Sequence, residues 1–464
     1  MLGSPRGVHL VGRRIVLITN NQCTTPYPVF PLGVAHVAAA LKRASHRVKI
    51  VDLLAASENL EFLLKTFKPD YVGVSQRNFD DLNIRDPLVF TDNIDWIIKR
   101  IRKVSRAPII MGGSGFSLFP AEILERTKAD FGIQGEGERA FVQLISALQG
   151  SGDLRDIAGL VFRCEGTIRI NEKKPCTKRE IISPFRPRSL CRWYLQKSLM
   201  LNIQTQRGCY FNCCYCTYPV LEGKTVCRRD YSALTEELLR ARRIGCRYFY
   251  IVDSVFNTSN DHVRAFCEKI IRHNVNMHWG CFLRPQGLTA ELLKLMARAG
   301  LTHIEFGSDS FCDSVLNAYG KQFSFHDILR SSELARKASV HYAHFLIIGG
   351  PSETEATVLE SYAHSRQFRK TVIFPYVGMR IYPQTRLYAI ACGEGSLDRK
   401  ADLFSPRFYI SPHISMNKVF GLLRKFNTTS PHWIVEKIPA SLEKVMRGLR
   451  CKGIAGPLWE FLAR

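Results

Sequence analysis

Arg207-Gly208-Cys209-Tyr210-Phe211-Asn212-Cys213-Cys214-Tyr215-Cys216 follows the expected strand Leu201–Thr205 after one residue, Gln206. Within it Cys209, Cys213 and Cys216 form a CxxxCxxC spacing on a polar loop preceded by glycine. Three thiolates on one loop can each bind one iron of a cubane cluster, leaving the fourth iron open to a small molecule. Zinc is a competing reading, with Cys214 or Cys227 as the fourth donor of a tetrahedral site. Inert buried thiols are a third, and four cysteines within eight residues argue against it.

Downstream of this loop strands and helical patterns alternate. Leu201–Thr205, Tyr248–Val252, His278–Phe282, His303–Phe306, Ala343–Ile348 and Val377–Ile381 read as strands. Between them Val263, Phe266, Cys267, Ile270 and Ile271 make one helical stripe, and Leu292, Leu295, Met296 and Ala299 another. Six such units predict a partial or full β/α barrel with its chemistry at the strand ends. Upstream, Ile15–Ile18, Val48–Val51, Tyr71–Val74 and Pro108–Met111 read as buried strands, with helices at Leu32–Ala44 and Ile94–Val104. That alternation predicts a doubly wound, Rossmann-like domain whose ligand loops follow the strands. Between the two, Leu160–Arg163 and Thr167–Ile170 read as a hairpin, and Pro184, Pro187 and Arg188 as an extended connector. The expected organisation is α/β throughout: residues 1–150 Rossmann-like, 151–198 a linker with a hairpin, 199–395 a barrel, and 396–464 a small, mainly helical region.

A length of 464 residues exceeds one compact core, and 46% apolar with 23% charged residues excludes a mostly disordered, collagen-like or disulfide-scaffold chain. The net charge of +24 is dispersed in short clusters such as Arg228-Arg229, Arg240-Ala241-Arg242-Arg243 and Lys173-Lys174, without interleaved aromatics. This reads as a solvated basic surface, and nucleic acid is not the expected partner. No apolar run reaches bilayer length, and Ile15–Ile18 is too short for a signal peptide, so a cytoplasmic location is expected. Fifteen cysteines, mostly within apolar segments, fit a reducing compartment.

The cysteine loop resembles that of the radical SAM superfamily, CxxxCxφC, with Tyr215 before the last cysteine. The resemblance implies a 4Fe-4S cluster on Cys209, Cys213 and Cys216 whose open iron is chelated by the amino and carboxylate groups of S-adenosylmethionine. Reductive cleavage would then yield a 5′-deoxyadenosyl radical. It further implies S-adenosylmethionine contacts at Tyr215, Asp253 and Asn257, at Ser308, Asp309 and Ser310, and at the turn of Gly349 and Gly350. An electron donor such as flavodoxin or ferredoxin is implied as a partner. Pro31-Leu32-Gly33-Val34-Ala35, Pro69-Asp70, Gly112-Gly113 and Gly135-Glu136-Gly137-Glu138 are similar to the cobalamin-binding domain that precedes the barrel in many radical SAM proteins. That likeness implies cobalamin on the loops Ser75, Gln76, Arg77 and Asn78, Gly112, Gly113, Ser114, Gly115 and Phe116, and Gly135, Glu136 and Gly137. No DxHxxG occurs, so no lower histidine ligand from that motif is expected. His36 and His46 read as packing or surface residues.

Phrases such as Cys23-Thr24-Thr25-Pro26-Tyr27-Pro28 and Gly378-Met379-Arg380-Ile381-Tyr382-Pro383 are similar to the ladderane-type lipid-biosynthesis branch. The implied activity is radical C-methylation of a lipid or other apolar intermediate, free or carrier-bound. Radical cyclisation, rearrangement or oxidation is the alternative. Arg284, Arg380 and Tyr382 are candidate substrate contacts, since an arginine can hold a carboxylate or phosphate in a bidentate pair. A tRNA methylthiotransferase fits less well, because Cys23 alone precedes Cys164 where a second cluster needs three cysteines, and Phe420–Arg424 and Leu442–Leu449 look helical. A non-catalytic cobalamin or metal sensor is a further alternative.

Overall fold

The computed structural model describes residues 12–24, 26–55, 59–173, 180–435 and 440–462. Thr25 and Lys174, named above in sequence phrases, lie outside them, as does the start of the first expected domain.

Seven strands form the N-terminal sheet: β1 Arg14–Thr19, β2 Arg47–Asp52, β3 Tyr71–Ser75, β4 Ile109–Gly112, β5 Phe131–Ile133, β6 Leu160–Cys164 and β7 Thr167–Ile170. Their order is β2-β1-β3-β4-β5-β6-β7, with β1 to β5 parallel and the last two antiparallel. Ile15, Val16 and Ile18 on β1 are fully buried because helices cover both faces, which is why this strand reads as a continuous apolar run. The helix Leu32–Arg43 buries Leu32, Val34, Ala35, Ala38 and Leu41, and ends on Lys42 and Arg43, cations suited to its negative end. His36 on that helix is a packing residue, with Nδ1 2.9 Å from the Ile182 carbonyl. Strand order reverses between β1 and β3, opening a crevice beyond their carboxyl ends.

The interdomain hairpin is present, but as the antiparallel edge of this sheet rather than as linker, because Leu160, Val161 and Phe162 pair with β5 and bury their side chains. Arg188 does not continue an extended connector: Pro187, with its fixed φ, precedes the helix Arg188–Ser198.

The second sheet contains β8 Met200–Ile203, followed by a small antiparallel ladder of β9 Gln206–Arg207 with β10 Cys227–Arg228. It continues with β11 Tyr248–Ile251, β12 His278–Leu283, β13 Leu301–Asp309, β14 His341–Ile348 and β15 Thr371–Val377. The order β15-β14-β13-β12-β11-β8 is parallel throughout and open between its ends, a partial six-stranded barrel. Leu201, Phe249, Trp279, Ile304 and Leu346 face the helical layer. There Phe249, Phe256 and Phe266 surround Trp279, so Trp279→Ala should cost about 3–5 kcal/mol. The sixth barrel strand is Thr371–Val377, not Val377–Ile381. Instead β16 Met379–Arg380 pairs with β17 Phe408–Tyr409 beyond the barrel's end. Helices Met416–Thr429 and Ala440–Cys451 follow. The closing turn Trp459–Leu462 packs on Ala343 and Val372. Among the described residues no helix is long and apolar enough to cross a membrane.

Candidate functional site

The cysteine loop leaves the ladder β9–β10 at Gly208, whose φ of +92° and closeness to Thr225 (an added Cβ would sit 2.1 Å from its carbonyl oxygen) admit only glycine. Backbone bonds Cys209 N to Gly223 O (3.1 Å), Cys214 N to Tyr319 O (2.9 Å) and Cys216 N to Cys213 O (3.2 Å) fix its course. Cys209, Cys213 and Cys216 are free thiols gathered on this loop. Burial first, and then Cys213 beside it, pushes the Cys216 thiol up to about 12; burial and Cys213 raise Cys209 as well. Thiols held up in this way, Cys209 and Cys216, ionise readily only when a cation compensates them. Among the described residues no three His, Cys, Asp or Glu side chains form a cage for a single metal ion. A cluster takes one thiolate per iron, and three cysteines carried on one loop are the donor set for that. Cys214 instead packs in the core, fully buried.

Cationic and polar groups surround the loop. Arg284, just past β12, places Nη1 3.9 Å from Cys213 Sγ, and its guanidinium stacks 3.6 Å from the Phe211 ring centroid. Asn257 holds the backbone of Arg284 from both sides, through Arg284 N to Oδ1 (2.9 Å) and Nδ2 to Arg284 O (2.8 Å). Tyr215 donates to Asp309, which also pairs with Lys321 at 2.5 Å. Asp309 ends β13 with φ +61°, a left-handed turn that aspartate tolerates. Asp253 accepts from Thr205 N (2.6 Å), the Thr205 hydroxyl and Gln206 N (3.3 Å), and burial lifts its carboxyl to about 7.

Ser308 and Ser310 do not face the barrel interior. Ser308 Oγ lies 2.8 Å from His344 Nδ1, and Ser310 Oγ 3.3 Å from Ser361 Oγ and 3.1 Å from Cys312 N, all in the helical layer. The Gly349 and Gly350 amides donate to Glu353 (2.8 Å) and to the Tyr319 hydroxyl (3.1 Å).

Beyond β1 and β3 the crevice becomes a cleft of about 700 Å³ between the two sheets. Ser75, Arg77, Asn78, Gly112, Gly113, Ser114, Gly135, Glu136 and Gly137 line one wall; Gln204, Arg207, Thr217 and Tyr218 of the second half line the other. No histidine is among the described residues lining it. Three of the expected loop residues fall outside the lining. Gln76 is buried, with Oε1 accepting from Asn20 at 2.7 Å; Gly115 packs on Gln76 and Asn78; Phe116 is in the core under Gly132. Gly113, with φ +98°, is held against the Gln76 carbonyl, 2.4 Å from where a Cβ would sit, so that turn itself requires glycine. Gly112 has nothing closer than 3.9 Å to an added Cβ, so backbone there is open to a large planar ligand. These residues fit a corrin-sized group.

Arg380 is not available to a substrate. It is buried and spends its nitrogens on Asp80 Oδ2 (2.8 Å) and the carbonyls of Ile381 (2.5 Å) and Leu403 (2.8 Å), tying the strand end to the N-terminal domain. Tyr382 lines the cleft, with Arg380 4.8 Å over its ring. Sequence reasoning missed Lys321, which no motif marks, and the pairing of Arg207 with Glu138 (2.7 Å) and Glu136 (3.4 Å) across the cleft. The latter could have been sought by asking what balances two glutamates in a glycine-rich loop.

Comparison with known proteins bears on both halves. Residues 23–145 match the B12 binding domain family and residues 203–364 the radical SAM superfamily. An uncharacterized methyltransferase of Pyrococcus horikoshii is 26% identical, covering 85% of this chain and 86% of its own. A tryptophan 2-C-methyltransferase of Streptomyces laurentii is 23% identical, covering 80% and 73%. The structure of the radical S-adenosylmethionine methyltransferase TsrM from Kitasatospora setae, with cobalamin and a 4Fe-4S cluster bound, superposes with TM-score 0.85 at 20% identity, covering 98% of each chain. A cysteine loop that opens a partial barrel, facing a doubly wound domain across a shared cleft, is thus a B12-binding domain joined to a radical SAM domain.

Proposed function

We propose that the protein is a cobalamin-dependent radical SAM methyltransferase that places a methyl group on a carbon of a lipid or other largely apolar intermediate. The observation that carries this reading is the shared cleft. Arg207, two residues before Cys209, ion-pairs with Glu138 of the opposite wall, so the cluster loop and the cobalamin loops are braced face to face. When bound, the cluster with S-adenosylmethionine supplies a hydrogen-abstracting radical and cobalamin supplies the methyl group, so the difficult chemistry belongs to the cofactors. Cys209, Cys213 and Cys216 would hold the cluster, and Ser75, Arg77, Asn78, Gly112, Ser114 and Gly135 to Gly137 would cradle the corrin.

The chain's own contribution is orientation and exclusion of water. Inside the barrel an aromatic row runs Tyr250–Phe282 (5.4 Å), Phe282–Phe345 (6.3 Å) and Phe345–Phe374 (5.1 Å), with Tyr376 beside Phe345 at 6.2 Å. Phe282 and Tyr376 remain 39% and 50% exposed, so their faces are free for a ligand. Each methylene buried against them would contribute about 0.8 kcal/mol, which favours a hydrocarbon body. Likeness of sequence phrases to the lipid-biosynthesis branch supports the same class. The helices that follow Leu403 give no support to an RNA-binding β-barrel at this end of the described chain.

Anaerobically reconstituted enzyme should convert a suitable substrate with release of both S-adenosylhomocysteine and 5′-deoxyadenosine, and isotopic label from the S-methyl group should enter product carbon. Conversion with 5′-deoxyadenosine alone and no label would replace methylation by radical cyclisation, rearrangement or oxidation.

A further inference from the structure

Glu305 sits in the middle of β13, where its neighbours Ile304 and Phe306 join the helical layer, so its own side chain faces the barrel lumen. It is 6% exposed. On that face it stands in register between Phe282 of β12 and Ala343 of β14, and the ring of Tyr250 packs 5.4 Å from that of Phe282. Trp459, from the closing turn that packs on Ala343, donates Nε1 to Oε1 at 3.0 Å, and the Tyr250 hydroxyl approaches the same carboxyl. Both are neutral groups. Among the described residues no lysine or arginine pairs with Glu305; Arg450, beside Tyr27 on the barrel floor, spends its nitrogens on the carbonyls of Ser198 (2.7 Å) and Gly456 (3.4 Å). Burial accordingly lifts the Glu305 carboxyl to about 7. A lone carboxyl in an aromatic interior is costly in its charged form, and neither the cysteine loop nor the cleft makes use of it.

We propose that Glu305 receives a protonated amine of the substrate at the inner end of the barrel lumen, so that the largely apolar intermediate is a cationic amphiphile rather than a neutral or acidic one. The proposal rests on the methyltransferase reading and names the substrate class of that same site. An ammonium supplies the counter-charge the protein withholds and donates charge-assisted hydrogen bonds to the carboxylate. Phe282, still 39% exposed, offers its ring to the same cation. A hydroxyl would gain a hydrogen bond but leave the charge uncompensated, and a carboxylate or phosphate would be repelled. Glu305 lies four residues before Asp309, which the cysteine loop meets through Tyr215. At about 3.3 Å per residue the cationic end is held roughly 13 Å from the cofactor end of the strand, so the carbon that reacts is remote from the amine.

The test uses full-length, anaerobically reconstituted protein and three probes of one chain length, n-octylamine, n-octanol and octanoate, with affinities from isothermal titration calorimetry. At pH 8 octylamine should bind at least about tenfold more tightly than octanol, and octanoate more weakly still. Glu305→Gln should weaken octylamine roughly 30-fold or more, as for the loss of one partner of a buried charge pair, and change octanol by less than about threefold. From pH 8 to pH 6 the wild-type affinity for octylamine should fall about tenfold as the carboxyl takes up its proton, and E305Q should abolish that slope. The other groups facing this end of the lumen are Tyr27, Tyr248, Tyr250, Tyr376 and Cys281, which burial raises and keeps neutral throughout that range. On the floor lie the His303–Glu460 pair, His341 and Arg450, whose contribution E305Q would retain. Octanol bound as tightly as octylamine, or octylamine bound equally by wild type and E305Q, would overturn the proposal. So would a melting point for E305Q far below wild type with both probes equally weakened, which would make Glu305 an anchor for Trp459. If E305Q does not fold, Glu305→Asp, which withdraws the charge by one methylene, should weaken octylamine and spare octanol, and equal effects on the two would overturn it. Binding is read without turnover, so its outcome stands apart from the appearance of methyl label in product, which tests the methyltransferase reading.

Discussion

Replacing Arg207 by Gln tests whether the two halves of the site are braced across the cleft. Nη1 of Arg207 lies 2.7 Å from Glu138 Oε1 and 3.4 Å from Glu136 Oε1, and Nε donates to Gln204 at 2.8 Å. Burial opposes the charge, but Glu138 and Glu136 outweigh it and hold the guanidinium protonated. Removing one partner of a buried pair costs about 3–5 kcal/mol because the other charge stays desolvated; the glutamates here are 19% and 26% exposed, so the lower end, about 3 kcal/mol, applies. Glu138→Gln removes one of the stranded charges, so the double variant should lose about 2 kcal/mol less than the sum of the singles. Urea unfolding, followed separately for the first transition because two domains need not unfold together, measures this cycle. Glu136 and Gly137 line the cleft, so cobalamin titrated by absorbance should bind R207Q roughly tenfold more weakly. Additivity of the two substitutions within about 0.5 kcal/mol, with unchanged cobalamin affinity, would refute the brace.

Individual Cys209, Cys213 or Cys216→Ala variants should lose the 4Fe-4S chromophore and bound iron and sulfide, whereas C214S and C227S should keep them. Gly112→Trp should block cobalamin in an absorbance titration while leaving the unfolding midpoint near wild type. Gly113→Ala should instead destabilise the fold by about 1 kcal/mol or more, since its φ is +98° and the Gln76 carbonyl leaves no room. His344 is fully buried and desolvation depresses it to about 3. The unfolded chain therefore binds a proton that the folded chain refuses, and this stability, complete above the ordinary histidine value near 6.5, is lost as pH falls toward 3. Between pH 7 and pH 5 this single group costs about 2 kcal/mol, so His344→Gln should show a correspondingly shallower acid loss in urea midpoints.

Much of the architecture was legible because parallel strands buried on both faces are continuous apolar runs, as Ile15–Ile18 is. What escaped has physical reasons. β5 has three residues and no period to read. β15 carries Pro375, which a central strand would not tolerate; it is allowed because β15 is the sheet edge, and the apolar residues after it drew the assignment too far along the chain. The cysteine spacing is local and so was visible. The side-chain directions of Ser308 and Ser310 were not legible because strand parity, which a sequence phrase does not carry, turns them toward His344 and Ser361. The surroundings of Arg284 come from residues 211, 257 and 323, and no local pattern joins them.

Hydrogen-bond saturation separates scaffold from recognition among the residues picked out by their sequence. Arg380 was chosen for the same reason as Arg284, an arginine near a barrel strand end able to grip an anion with two donors, and both are buried, yet the donors of Arg380 are spent on Asp80 and on carbonyls of two segments. Adding a ligand there would break bonds already made in a buried place, where each loss carries the full desolvation penalty. Asn257 and Asp253 are likewise committed, to the backbone of Arg284 and to the turn at Thr205 and Gln206. At Arg284 the same accounting runs the other way: stacking and backbone clamps are complete, two donors are not, and a bound anion would remove a penalty the folded protein already carries. Removing the arginine should therefore cost ligand affinity more than it costs stability, whereas Arg380→Gln should unfold the joint between the domains. Those opposite ratios of lost binding to lost stability are what distinguish two buried arginines that look alike in sequence.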